Sequence, residues 1–295
     1  MKKLYYALPH AVFAALVFLM LTPSARVVKN PWAFLAVVVI VEVALVINRR
    51  SKAAHDIALL VFVFMGLWQV MTTKIGVANT MLYPTPEDVF AMFIRDWKKM
   101  VLGIFTSMWL LTTASVLAFG LGLPLGMLTG WFERSRKVFL PIAKVLSPIP
   151  ALIYSPYAVA LLPNFRTASI FIIFSSIFWP TFMSMVVSVS TIDRRIIESA
   201  KTLNVSTKTM FVRVLFPYSL PKVLSGMAIT ITISFMVLTA AEMLGATAGL
   251  GWYVKYYSDF GDYTRVVAGI ILIGVVVTAL NRLMVMMEKK LIKWR

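Results

Sequence analysis

Two carboxylates, Glu42 and Glu242, and one amine, Lys144, stand inside long apolar runs of this sequence. An ionisable side chain in such a run is costly in lipid, so it faces protein or water and marks a functional site or a strong pairing. Glu242 lies near the outer end of its run. It either lines a solute path, braces an outer gate or makes a structural hydrogen bond, and a carboxylate is a poor ligand for an anion. Lys144 either places positive charge near such a path or snorkels toward the interface, as Arg282 is expected to do. Glu42 is expected to pair with a neighbouring helix or a partner subunit. The parts for chemistry on covalent bonds are missing. The chain has no cysteine, hence no disulfide, thiolate nucleophile or cysteine metal site. His10 and His55 are far apart in sequence and fit no metal-ligand spacing. There is no Ser/His/Asp set and no GxxxxGK[ST] phosphate loop, so the chain is not expected to hydrolyse ATP or to carry a metal or cofactor. The run GLGLPLG at 120–126 lies in an apolar segment with no strand before it, so it is no nucleotide fingerprint. Gly122, Gly126 and Gly130 recur every four residues instead, a spacing that lets helices approach closely, within the chain or at a dimer seam.

The polar segment 191–222, TIDRRIIESAKTLNVSTKTMFVRVLFPYSLPK, carries helix grammar of its own. Asp193 is placed to cap a helix running to about Leu203. Ile196, Ile197, Ala200 and Leu203 form an apolar stripe at helical spacing. Asn204 follows, the usual substitute for glycine in a left-handed helix stop. Ser206 is placed to cap a second helix running toward Pro217. Two short helices joined by a tight turn are therefore expected on this connection.

The elements that position these groups are membrane helices. The chain is 60% hydrophobic and 14% charged over 295 residues, against about 25% charged for a soluble domain. Apolar runs long enough to span a bilayer cover approximately 5–22, 32–48, 56–75, 103–130, 138–162, 167–189, 223–245 and 265–287. This predicts an all-α polytopic membrane protein of about eight transmembrane helices. Pro124, Pro148, Pro150 and Pro156 are expected to kink or break the fourth and fifth. With both termini inside, Lys and Arg divide about two to one in favour of the inner segments, counting Lys2, Lys3, Lys293 and Arg295 inside and Lys29 outside. The formal charge of +17 is thus read as topology signals facing the cytoplasm and an anionic lipid surface, with no nucleic-acid partner. The first run begins with basic residues, but Pro23-Ser24-Ala25 is a poor cleavage site, so an uncleaved first helix is expected. Residues 84–97 are read as a short helix in the outer interface, with Thr85 as cap, Pro86 at its first position, and Val89, Phe90, Phe93 and Trp97 on one face.

The wording of 191–222 resembles the cytoplasmic signature of bacterial ABC importer permeases, Glu-Ala-Ala, three residues, Gly, then Leu-Pro. Here these positions are Glu198, Ser199, Ala200, then Asn204, then Phe216-Pro217. Ser, Asn and Phe replace Ala, Gly and Leu. The stretches SPIPALIYSP at 147–156, SxxDxRxIExA at 190–200, AEMLGATAGLGW at 241–252 and the terminal KKLIKW resemble one branch, that of the nitrate, sulfonate, taurine and bicarbonate permeases with relatives importing vitamins or their precursors. The resemblance covers about residues 60–295 and implies a type I ABC importer permease-like core. Residues 55–295 would form the permease domain, with coupling loop 191–222, and residues 1–54 would add a two-helix extension. It further implies a non-catalytic subunit of a bacterial inner-membrane importer. ATP hydrolysis would reside in separate ATP-binding cassette subunits, an extracytoplasmic binding protein would deliver solute, and a second permease subunit would complete a homo- or heterodimer. Glu198, Ser199, Ala200, Lys201, Leu203 and Asn204 would belong to the element that docks on the ATPase, and Lys201 and Lys208 would face its acidic groups. A stand-alone ion-coupled secondary transporter is the alternative; it would usually show an inverted repeat of helices, and no clear repeat is visible.

Overall fold

The computed structural model describes residues 2–26, 30–76 and 82–291. Lys29, Lys293, Arg295 and the end of the KKLIKW motif lie outside them, as do the side chains of Lys2 and Lys3. The described residues are all-α, in the order α1 (Lys2–Leu21), α2 (Pro31–Ile47), α3 (Lys52–Gln69), α4 (Pro86–Arg95), α5 (Trp97–Trp131), α6 (Glu133–Leu146), α7 (Ser155–Leu161), α8 (Phe165–Ser190), α9 (Arg194–Thr202), α10 (Thr207–Thr209), α11 (Phe216–Gly245), α12 (Leu250–Asp259) and α13 (Tyr263–Leu291). Among the described residues, five helical stretches are long and apolar enough to cross a membrane: Lys52–Lys74, Trp97–Trp131, Phe165–Ser190, Thr207–Gly245 and Tyr263–Lys290. Two shorter apolar helices, Tyr6–Leu21 and Pro31–Ile47, match the first two runs read from the sequence. The remaining run, 138–162, is divided between α6 and α7 by a turn holding Pro148 and Pro150. Proline lacks the N–H that an unbroken helix needs, and two of them one residue apart end it. By contrast, α5 runs unbroken through Pro124, because a single missing donor is tolerated inside a packed membrane helix.

The chain divides into two compact units. The first comprises Met1–Val101 and Tyr253–Leu272. Its core is built from Leu16, Phe34, Val38, Phe62 and Phe90, with the Phe34 and Phe90 rings stacked 5.8 Å apart. The expected helix near residue 90 forms as α4 with Thr85 as its cap, yet it is packed into this core rather than laid on an interface: Val89, Phe90, Ala91 and Met92 are all buried. Its polar side accounts for the difference. Glu87 is buried and accepts hydrogen bonds from Gln69 Nε2 at 3.0 Å and Thr73 Oγ1 at 2.9 Å, so the helix docks with its acid satisfied. Glu42 is paired with His10, as expected of an intramembrane acid, and the His10 and His55 rings, remote in sequence, lie 6.2 Å apart. Among the described residues no group of three or more His, Cys, Asp or Glu is arranged to hold a metal ion. Asp96 accepts from Tyr253 Oη at 2.9 Å and from Arg265 Nε at 2.7 Å. Burial, reinforced by the Asp96 carboxylate, holds the Tyr253 phenol above its ordinary range.

The second unit comprises Leu102–Trp252 and Ile273–Arg295. Here the four-residue glycine repeat is resolved: it is the seam between α5 and α8 within one chain. A Cβ on Gly126 would stand 2.8 Å from Met185 Cβ and 2.8 Å from the Phe182 carbonyl, and one on Gly130 would stand 2.8 Å from the Val186 carbonyl. Lipid tails are as apolar as leucine, so helices in a bilayer hold together by close van der Waals packing, which small residues permit.

Candidate functional site

The polar connection folds largely by its own grammar. Asp193 caps α9, accepting from the Arg195 N–H at 2.9 Å. The helix ends at Asn204, which adopts φ 52°, the left-handed conformation. The Val205 N–H reaches the Ala200 carbonyl at 3.3 Å and the Asn204 N–H the Lys201 carbonyl at 2.9 Å. These are the two bonds of a Schellman stop, and Val205 and Ala200 supply its apolar contact. Ser206 starts the next helix, accepting from the Thr209 N–H at 3.3 Å. That helix does not stop at Pro217. A widened π turn over Met210–Leu215, with the Phe216 N–H bonded to the Phe211 carbonyl, carries it into α11. The i→i−5 spacing accommodates the proline, whose absent N–H would interrupt an ordinary ladder. The connection is therefore one short helix and a rigid extension of a spanning helix, not two short helices.

The predicted apolar stripe is split between two tasks. Ala200 is 8% exposed and packs with Ile197, Met185, Val189, Met210 and Leu215. Leu203 is 77% exposed and Ile196 38% exposed. Glu198, Ser199, Lys201 and Asn204 are also exposed. The helix is thus braced from beneath by Ala200 and Ile197 and presents a mixed polar and apolar outer surface.

Glu242 is 1% exposed. Its carboxylate accepts from Ser107 Oγ at 2.5 Å and from the Gly251 N–H at 2.7 Å, while Ser107 Oγ accepts from the Leu250 N–H at 3.0 Å. The acid therefore closes the start of α12 and ties it to α5 and α11, placing an acceptor where a helix presents free N–H donors. Gly249, at φ +139°, leaves room for it: a Cβ there would meet Glu242 Oε1 at 2.5 Å. The contacts of this acid are hydrogen bonds between helices, to Ser107 and Gly251. Sequence reasoning singled out 241–252 but missed Ser107, which lies 135 residues from Glu242 and carries no local signal. Lys144 is exposed in the last turn of α6; it is not brought together with Glu242 or with the residues of α9.

One further feature was not anticipated. A cavity of about 780 Å³ is lined by Phe105, Thr106 and Trp109 of α5, by Asn164, Phe165 and Arg166 at the start of α8, and by residues 245–248 after α11.

Comparison with known proteins fixes the class. The family model for the binding-protein-dependent transport system inner membrane component matches residues 122–293. The chain belongs to that family. The matched stretch of this permease contains α9, Asn204 and Glu242 and excludes α1–α4. It is similar to the nitrate import permease protein of Leptolyngbya laminosa, with 26% identity over 89% of this chain and 94% of the relative. It is also similar to the taurine transport system permease protein of Escherichia coli, with 27% identity over 77% and 84%. For the putative aliphatic sulfonates transport permease protein of Bacillus subtilis the figures are 26% over 80% and 86%. Among solved structures, an inward-facing form of the MetNI methionine ABC transporter matches in fold, with a TM-score of 0.50 and 19% identity over 64% of this chain and 96% of that one. The protein is a multi-pass inner-membrane permease subunit of an ABC importer.

Proposed function

We propose that this permease couples to a separate ATP-hydrolysing subunit through α9 and the turn that follows it, and that its membrane helices form the path for a small solute handed over by an extracytoplasmic binding protein. One observation carries the reading. An exposed helix bearing Glu198, Ser199, Lys201 and Leu203 is stopped rigidly at Asn204 and seated through Ala200 on the core of α8 and α11. A push on such a helix is delivered to the spanning helices rather than absorbed in a loop. Lys201 and Lys208 suit acidic groups on the ATPase, each exposed pair contributing about 0–1 kcal/mol. In this reading a second permease subunit, identical or related, completes the path, and both termini are cytoplasmic. Residues 1–54 extend a permease domain at 55–295. Nitrate, taurine and other sulfonates, bicarbonate and vitamin precursors are the solute types to test, the first three named classes of relative being the guide.

The test replaces Ala200 by proline or aspartate in the assembled transporter and measures ATP-driven uptake into proteoliposomes. Either change should abolish uptake while the membrane helices still insert and the complex still purifies. Undiminished uptake in either variant would overturn the coupling assignment.

A further inference from the structure

The cavity between α5, the start of α8 and residues 245–248 has the size of a small-molecule site, about 300–1,000 Å³ being usual. Arg166 is the charged side chain among its lining residues. The guanidinium carbon lies 5.1 Å from the centre of the Trp109 ring. Among the described residues that ring is its partner: no carboxylate or carbonyl engages the guanidinium. A cation–π contact uses none of the guanidinium N–H donors as a hydrogen bond, and a planar fork of donors matches the oxygens of an oxyanion. Glu242, the nearest buried acid in sequence to the 245–248 wall, is held by Ser107 and Gly251 and does not line the cavity, so it does not neutralise the arginine. The remaining walls include the aromatic residues Phe105, Trp109 and Phe165 and the hydroxyl residue Thr247, the Thr106 hydroxyl being spent on the Leu102 carbonyl at 2.9 Å. Cation, the Thr247 hydroxyl and rings together suit a ligand with an oxyanion head on a short apolar body.

We propose that this cavity is a solute site of the permease itself, in which Arg166, held on the face of Trp109, selects small organic oxyanions of the alkyl sulfonate type. This deepens, and rests on, the importer reading. It differs from that reading in locating solute selection within the membrane subunit.

The chain has no cysteine, so Thr247→Cys places a single thiol reporter on the cavity wall. The full-length chain in nanodiscs is treated with 2-sulfonatoethyl methanethiosulfonate, itself an alkyl sulfonate, and with its trimethylammonium counterpart. Adding Arg166→Gln should lower the anion-to-cation rate ratio by about tenfold, the effect of removing one unit charge several ångströms away at an effective dielectric between protein surface and water. Arg166→Lys should keep most of the ratio. Added ethanesulfonate should slow labelling in the Arg166 chain and not in the glutamine variant. The cationic reagent reports in each variant that the thiol is still reachable, and a monodisperse size-exclusion peak reports that the chain is still folded. A ratio unchanged by Arg166→Gln, or labelling indifferent to ethanesulfonate, overturns the proposal. So does protection that follows the anionic lipid content of the nanodisc alone, which would assign Arg166 to a lipid headgroup. Since the labelling needs no ATPase, a failure of ATP-driven uptake would count against the importer reading separately.

Discussion

Replacing Glu242 by alanine should unseat the start of α12, residues 250–252, from the rest of the second unit. The carboxylate is the acceptor for two buried donors, the Ser107 hydroxyl at 2.5 Å and the Gly251 N–H at 2.7 Å. Leaving a buried donor unsatisfied costs about 1–3 kcal/mol, so the alanine variant should lose about 2–6 kcal/mol. Glutamine is less harmful for a geometric reason. Its carbonyl can accept from Gly251 while its amide donates to Ser107 Oγ, which already accepts from the Leu250 N–H. Only the serine proton is then stranded, at a cost of about 1–3 kcal/mol. Ser107→Ala and Glu242→Ala share this network, so the double variant should cost about 0.5–3 kcal/mol less than the sum of the single ones. Thermal unfolding of the purified chain in detergent, followed by loss of the monodisperse peak, ranks the variants. At roughly 2–4 °C per kcal/mol the alanine variant should melt on the order of 10 °C lower. The brace would be refuted if the alanine variant melted with the wild type, or if alanine and glutamine were equivalent.

Two other outcomes follow from close contacts and backbone conformation. Gly126→Val should force α5 away from α8, since even its Cβ would lie 2.8 Å from Met185 Cβ and the Phe182 carbonyl; overpacking of this kind costs about 1–3 kcal/mol, and an unshifted melting temperature would contradict the seam. At Asn204, held at φ 52°, glycine should preserve ATP-driven uptake, whereas valine, strained in the left-handed region by about 1–2 kcal/mol, should weaken it; equal uptake by both variants would show that the left-handed stop has no part in coupling.

Much of this protein is legible locally. Apolar runs mark the spans because a helix crossing lipid must be apolar over about 20 residues. The start and stop of α9 are legible because Asp193 and Asn204 act on backbone groups within five residues of themselves. The four-residue glycine repeat announces a close helix approach, although not its partner: only folding selected α8 of the same chain. Pro217 misled, since whether a proline ends a helix depends on the register before it, and a π turn supplied another register. The interfacial reading of α4 failed for a related reason. Its Glu87 is buried, and the packed fold brought Gln69 and Thr73 to it from a separate segment.

By itself, then, the sequence determined the membrane class, the order of helices and the start and stop of α9, all of which depend on periodicity, hydropathy and short-range hydrogen bonds. The tertiary structure alone decided what Glu242 holds, which helix the glycines meet, and that Arg166 rests on Trp109 beside a cavity. Each of these joins residues of separate helices, and the pairing of helix faces is set by side-chain shape across the whole bundle, a property no local pattern encodes.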